Sequence, residues 1–344
     1  MSDYFDRVER QIVRRVETGV PRPRRLPSPF GHLGLVAAVL VVILVAGVSL
    51  LARSPSQTSS TAPTTGAHGV SVWFATPGPV AAATKARTTQ ILRARLHQAV
   101  PGAQVSWAGG RIDVRVTNPR RGARAEILAL SAPGRLEFYD WEASVIAPNG
   151  NTVASLLQAH DPPAIVMSQG SGTAAPGDPG LGSLSLARAR QLAAKEPAST
   201  RVTLVQAARQ GAAGSAAQFY VLRGAPALSG ASITDPRPSA IAGGTAVSFR
   251  FTAAGSRGFR ALTAAIARRG ARVSSVGQTL NQHFAIVLDN HLIDVPYVDY
   301  KQYPDGISDQ DGAELIGGFP KQSAKDIAIL LRYGPLPVNL TATG

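Results

Sequence analysis

The chain has 344 residues and no cysteine. That excludes disulfide frameworks, thiolate metal sites and thiol nucleophiles at once, so any folded part is held by its packing. Aromatic residues are scarce, at 6%. Acidic charge is short too: 21 Asp and Glu stand against 35 Lys and Arg, a formal net charge of +14. A basic balance invites a nucleic-acid reading. The arginines are scattered, however, and few aromatic rings stand among them to stack on bases, so no nucleic-acid partner is expected. A solvated surface that tolerates anionic lipid or wall polymer accounts for the charge.

Catalytic signatures are missing as well. There is no HExxH, no Walker Gly-Lys-Ser/Thr loop, no GxSxG elbow and no dinucleotide fingerprint. The six histidines, His32, His68, His97, His160, His283 and His291, lack metal-ligand spacing and read as surface or loop residues. Asp305, Asp309 and Asp311 in YPDGISDQDG miss the EF-hand intervals and the closing Glu, which leaves a polar turn. Asp289, Asp294 and Asp299 alternate along a hairpin and read as solvent-face or turn residues. No catalytic residue, cofactor or metal is expected, and the chain reads as a non-enzyme.

What the chain does have is one long apolar run. Leu33–Ala52, LGLVAAVLVVILVAGVSLLA, is twenty residues with Ser49 as its only strongly polar side chain. As a helix it would span roughly 30 Å, the thickness of a bilayer's hydrocarbon core. A secretory signal is the rival, but the run exceeds the usual h-region, and Leu50 stands where a cleavage site with Ala52 wants a small residue. The reading is an uncleaved anchor. Arg7, Arg10, Arg14, Arg15, Arg22, Arg24 and Arg25 precede it and only Arg53 follows closely, so the N-terminus belongs inside and everything from Arg53 onward outside.

In chain order, residues 1–32 form a basic cytoplasmic segment. Phe5, Val8, Ile12, Val13 and Val16 recur there at helical spacing, suited to an anionic lipid surface. Residues 53–68 are small, polar and Pro-containing, a flexible tether. Residues 69–146 give strand, helix, hairpin about Gly109-Gly110, helix and strand, the order of a ferredoxin-like unit. Residues 147–217 hold short helices around the Gly/Pro stretch SQGSGTAAPGDPGLG and read as an inserted head subdomain. From 218 to 340, strands return, hinged at Asp289-Asn290, with helices at Ser256–Arg269 and Ser323–Tyr333. The expected fold class is α+β: one N-terminal transmembrane helix, then ferredoxin-like α/β base halves with an inserted head.

The last part carries a resemblance. ALSGASITDP, AVSFRFTAAGSRGF, HFAIVLDNHLIDVPYV and LIGGF followed by SAKDIAILLRYGPLPVNL occur in that order. Together they resemble the first large periplasmic domain of the SecD family, accessory subunits of the Sec protein-export machinery. The matching positions are Leu228, Gly230, Phe249, Phe251, Gly255, Phe259, Ala285 to Leu288, Asp289, Pro296, Gly318, Phe319, Leu331, Arg332, Gly334, Leu336 and Pro337. RLEFYDWE in the first half resembles a further family strand. The resemblance implies a plasma-membrane protein with its domain outside, partnered by Sec translocon components or exported polypeptide. A full family member continues into further membrane helices that carry proton-conducting acids, whereas this sequence stops at Gly344. The expectation is therefore a single-span binder of exported or unfolded polypeptide that is no proton-driven motor. The alternative is an envelope scaffold with no role in export.

Overall fold

The computed structural model describes residues 69–158, 184–207, 217–241, 244–274, 280–308 and 312–343. The expected anchor at 33–52, the basic segment 1–32 and the tether 53–68 lie outside these residues. Among the described residues no helix is long and apolar enough to cross a membrane.

In chain order the elements begin with β1 (Val70–Ala75), α1 (Ala82–Ala99), β2 (Gln104–Ala108), β3 (Arg111–Val116) and α2 (Ala123–Leu130). Next come β4 (Leu136–Asp140), α3 (Trp141–Ser144), α4 (Val153–Gln158), α5 (Leu186–Ala193), β5 (Val202–Ala207) and β6 (Phe219–Arg223). After them run β7 (Leu228–Ser229), β8 (Ile233–Ile241), β9 (Gly244–Phe251) and the long helix α6 (Ala253–Val273). The series closes with β10 (Gln282–Leu288), β11 (His291–Asp294), β12 (Tyr297–Val298), β13 (Ala313–Phe319), α7 (Lys321–Tyr333) and β14 (Thr341–Ala342).

The first sheet starts as its residues dictate. Val72 and Phe74 alternate onto one face of β1, and Ile91, Leu92 and Leu96 recur at helical spacing on α1 to cover them. Gly109 and Gly110 have φ of 55° and 79°, the left-handed pair that a two-residue hairpin requires, and they fix the Ala108↔Arg111 register. The expected ferredoxin-like unit breaks at its sixth element. The strand expected at Arg135–Ile146 becomes β4 followed by the short α3, and β4 leaves this sheet. The vacant edge is taken by β14, antiparallel to β1 through Phe74↔Ala342, giving the order β14-β1-β3-β2. The reason lies in β4 itself: Leu136, Glu137, Phe138 and Tyr139 are all buried, as a strand packed on both faces must be, whereas the outer strand of a sheet covered on one face leaves alternate residues wet.

The second sheet runs β6-β5-β11-β10-β4-β7, with β12 also on β10; its pairs are antiparallel except β5 and β11. β10 divides two cores by its period of two. Phe284, Ile286 and Leu288 face one cluster with Phe249, Phe251 and Phe259, while Ala285 and Val287 face another with Trp141, Tyr220 and Leu292. A third sheet, β13-β9-β8, packs with α6 on the first of these clusters. α7 serves two layers, with Ala324, Ala328 and Leu331 in that cluster and Ile329 and Leu330 against the four-stranded sheet. The subdomain expected at 147–217 is not set apart where it is described. β5 lies inside the second sheet, and Val153 and Leu157 of α4 join one of its cores, because the alternation of β5 buries Thr203, Val205 and Ala207 on one side. The Gly/Pro stretch itself lies outside the described residues.

One close approach fixes how α6 enters. The Thr252 hydroxyl accepts from the Gly255 N–H at 3.0 Å, an N-cap, and a Cβ on Gly255 would stand 2.1 Å from the Ser232 carbonyl oxygen. At Gly258 a Cβ would meet only the Leu228 side chain, Cδ2 at 3.4 Å and Cγ at 3.6 Å. Gly255→Ala is expected to cost about 3 kcal/mol by forcing backbone apart, while Gly258→Ala stays within about 1 kcal/mol because helix propensity offsets the squeeze. Urea denaturation of the two variants measures the difference; equal losses would mean that the turn at Ser232 yields.

Candidate functional site: two buried polar junctions

The turn between β10 and β11 places two non-glycine residues in the left-handed region, Asp289 at φ 51° and Asn290 at φ 63°, a conformation that Asp and Asn tolerate best. Asp289 uses it to grip the chain that leaves α2. Its carboxylate accepts from the Arg135 N–H at 2.7 Å and the Gly134 N–H at 3.0 Å, and its own N–H donates to the Arg135 carbonyl at 3.0 Å. Close by, Arg95 of α1 is wholly buried. Its Nη1 donates to the carbonyls of Leu130 at 3.0 Å and Ala132 at 2.6 Å; its Nη2 donates to Pro133 at 3.0 Å and Gly334 at 2.6 Å. Those oxygens lie at or just beyond the C-terminal ends of α2 and α7, where helix dipoles are negative. Burial lowers the Arg95 pKa to about 10, against the opposing charge of Asp289, so the cation persists at neutral pH.

A second junction lies beneath α3. Arg269 of α6 forks onto Asp140, with Nη1 at 2.8 Å from Oδ2 and Nη2 on Oδ1, and its Nε donates to Gln282 at 3.1 Å. Glu142 stands 3.5 Å from Arg269, accepts the backbone N–H of His283 at 2.9 Å and faces His283 Nδ1 at 2.6 Å. Burial alone would lower the Arg269 pKa, but the hydrogen bonds and charges of Asp140 and Glu142 leave it raised. Asp294 is buried nearby; desolvation raises its pKa to about 6, opposed by the Val295 N–H and by His283.

These placements correct two expectations. His283 sits in the middle sheet rather than on a surface or loop, and Asp294 is a core residue rather than a solvent-face one, because β10 and β11 are covered on both sides. Asp289 and Asp299 do stand in turns, the latter accepting from the N–H groups of Lys301 and Gln302. The sequence did carry a signal for Arg95 and Arg269. Each falls on the apolar stripe of its helix, with Ile91 and Leu92 in the one case and Phe259, Leu262 and Ile266 in the other. Among the described residues no group of three or more His, Asp or Glu is placed to hold a metal ion. In the second junction Arg269 and His283 pair with Asp140 and Glu142, whereas Arg95 is held by neutral carbonyls and its buried Nε has no partner among the described residues.

The residues singled out by pattern sort into three kinds. Leu228, Phe249, Phe251, Phe259, Leu288 and Phe319 meet in one core, where the Phe251 and Phe259 rings stack at 4.8 Å. Asp289 and Gly334 meet around Arg95, and Leu336, beside Pro337, donates its N–H to Pro133 at 2.9 Å. The others act singly. Gly230 packs against Leu136, Arg332 donates to the Pro236 carbonyl at 3.0 Å, the Pro296 carbonyl accepts from Phe284, and Gly318 lies in β13.

Residues 203–338 match the family model of the SecDF P1 head subdomain. This stretch resembles a domain of the SecD family. The protein translocase subunit SecD of Rhodobacter capsulatus is 33% identical over 124 residues, 36% of this chain and 19% of that protein. SecD of Streptomyces coelicolor is 33% identical over 125 residues, again 36% of this chain and 19% of the relative. The match thus spans only 19% of either relative's length. A crystal structure of SecDF in a super-membrane-facing form is 19% identical with a TM-score of 0.48, covering 80% of this chain and 30% of that one. The family description puts the head on 203–338, largely the stretch expected as the second base half, while the expected insert at 147–217 mostly precedes it.

Arg95→Ala is expected to cost roughly 4 kcal/mol, because four carbonyls lose their donor, and Asp289→Ala about 2 kcal/mol. Denaturation of both single variants and the double variant should show a loss smaller than the sum by about 1 kcal/mol; strict additivity would mean that the two sites are uncoupled.

Asp294 gives a pH signature. Its folded pKa of about 6 lies above the ordinary 3.8, so the folded state holds the proton more tightly and stability falls as pH rises through that window. Asp294→Asn should therefore stabilise the chain by up to about 2 kcal/mol at pH 7.5 and hardly at all at pH 4. Asp326, also raised to about 6 by burial, leaves the variant a residual slope of the same sign. Thermal unfolding across pH 4 to 8 measures both; a gain independent of pH would refute the assignment.

Proposed function

We propose that this chain is a membrane-anchored, extracytoplasmic accessory of protein export that holds exported or unfolded polypeptide and performs no chemistry of its own. The observation that carries the reading is the SecDF P1 head match over 203–338, supported by SecD relatives 33% identical over 124 and 125 residues of this chain. The apolar run 33–52 and the arginines before it supply the anchor and its orientation, with Sec translocon components and membrane lipid as neighbours. That run contains no ionisable residue, so the span provides no proton path, and any holding rests on differential affinity for two states of the polypeptide.

One observation favours a second reading, an envelope scaffold. Leu128, at 38% exposure, is the only large hydrophobic side chain exposed among the described residues, so they offer no broad apolar patch for an unfolded chain. In-cell photocrosslinking separates the two. A crosslinker at Arg257, exposed on α6, is expected to capture exported polypeptides, with a yield that rises when export is slowed. Capture of resident envelope proteins alone, at a constant yield, would establish the scaffold instead.

A further inference from the structure

Sheet edges present unpaired N–H and C=O groups, and folds usually blunt them with proline, charge, bulges or cover. Most outer strands here are blunted. β6 is met on its outer side by Leu184 and Val145. β8 carries Pro236 and Pro238 and shifts register between Thr234 and Arg237, and β13 shifts between Leu315 and Phe319. β7 and β14 are two residues each. β2 is the least blunted: QVSWA contains no proline and no charge, it pairs with β3 in unbroken register, and of its outward groups only the Val105 carbonyl is met, by Arg93.

The hairpin tells which groups of β2 face outward. In a two-residue hairpin the closing pair, Ala108↔Arg111, exchanges hydrogen bonds, so Gln104 and Ser106 bond β3 and Val105 and Trp107 turn their main-chain groups away. Arg93 of α1 confirms the direction by donating from Nη2 to the Val105 carbonyl at 2.8 Å. The Val105 N–H and both main-chain groups of Trp107 meet no partner among the described residues. α1 and β2 together wall a cavity of about 610 Å³, lined by Lys85, Thr89, Gln90 and Arg93 from the helix and by Val105 and Trp107 from the strand. The Trp107 indole is fixed by its N–H on the Thr89 hydroxyl at 2.9 Å, with Lys85 Nζ 5.2 Å from the ring centre.

A helix beside an open strand is the geometry that accepts an extended peptide as one more strand, main chain giving affinity and side chains giving preference. We propose that the groove between α1 and β2 takes an extended, acidic polypeptide segment, paired to the Val105 N–H and the main chain of Trp107, with carboxylates on Lys85 and on the Arg93 guanidinium that caps the Val105 carbonyl. The lining has two cations and no carboxylate. A second copy of this chain paired edge to edge about a twofold axis would set those cations against themselves, which leaves an acidic polypeptide as the complementary occupant. The class of ligand rests on the export reading; the site does not, since it lies outside residues 203–338.

The test uses the full chain in detergent and a short fluorescein-labelled peptide alternating Glu with Val and Thr, read by anisotropy. Binding is expected, weakened about tenfold in the Lys85→Glu, Arg93→Glu variant and about tenfold when alternate peptide amides are N-methylated. The methylated probe keeps the test valid even if the variant misfolds. Equal binding of the methylated peptide, or of a peptide with Lys in place of Glu, overturns the proposal. So does edge-to-edge self-association of the chain in sedimentation that the double variant abolishes. Export-dependent crosslinking from Arg257 that persists in any of these cases leaves the export reading standing while this site falls.

Discussion

The buried guanidinium of Arg95 is the constraint on which the rest depends. A charge removed from water costs several kcal/mol unless it is fully engaged, and breaking such an engagement costs about as much. Arg95 is engaged by carbonyls from residues 130–133 and 334, at or just past the ends of two helices, with the Asp289 charge acting on it. The four-stranded layer, the turn of the second sheet and the terminal helix must therefore be in place together. Gly134 shows how tightly the site is drawn, for a Cβ there would lie 2.7 Å from Arg95 Nη2.

The second junction works by the opposite arrangement, pairing carboxylates with a cation instead of carbonyls. Asp140 and Glu142 flank Trp141 at the point where β4 gives way to α3, so a single short segment supplies both acids and a large ring to the core. Arg269 reaches them from the last third of α6. The cluster sits where β4, β10 and α6 converge and fixes their relative rotation, which apolar contacts alone specify less sharply.

Local signals in the sequence were faithful to local structure. Gly109-Gly110 and Asp289-Asn290 each announce a tight hairpin, and the apolar spacing of residues 84–99, 256–269 and 323–333 locates three helices to within a few residues. Sheet membership was less legible. RLEFYDWE reads as a strand from its residues, but only its burial on both faces reveals that it belongs to the middle of a larger sheet. The short β14 has no pattern to read at all, being two exposed residues defined by their partner. Arg95 and Arg269 broke the apolar periodicity of their helices, and that break marks a buried polar site only once a partner is known. Most of the residues matched by family pattern prove to be packing and turn positions, which is why they specify the fold more clearly than any ligand.

The pairing of β1 with β14 reaches further than its few hydrogen bonds suggest. Thr343 bonds the Trp73 carbonyl across 270 positions of sequence, so the first strand of the described chain waits for residues near 341 to complete its sheet. Contacts between such distant positions form late, because loop-closure entropy must be met before they contribute. The β2–β3 hairpin closes within a dozen or so residues and forms early. The N-terminal layer is thus assembled from its β2–β3 hairpin toward β1, and the seam between β1 and β14 seals last, once residues near 341 can pair.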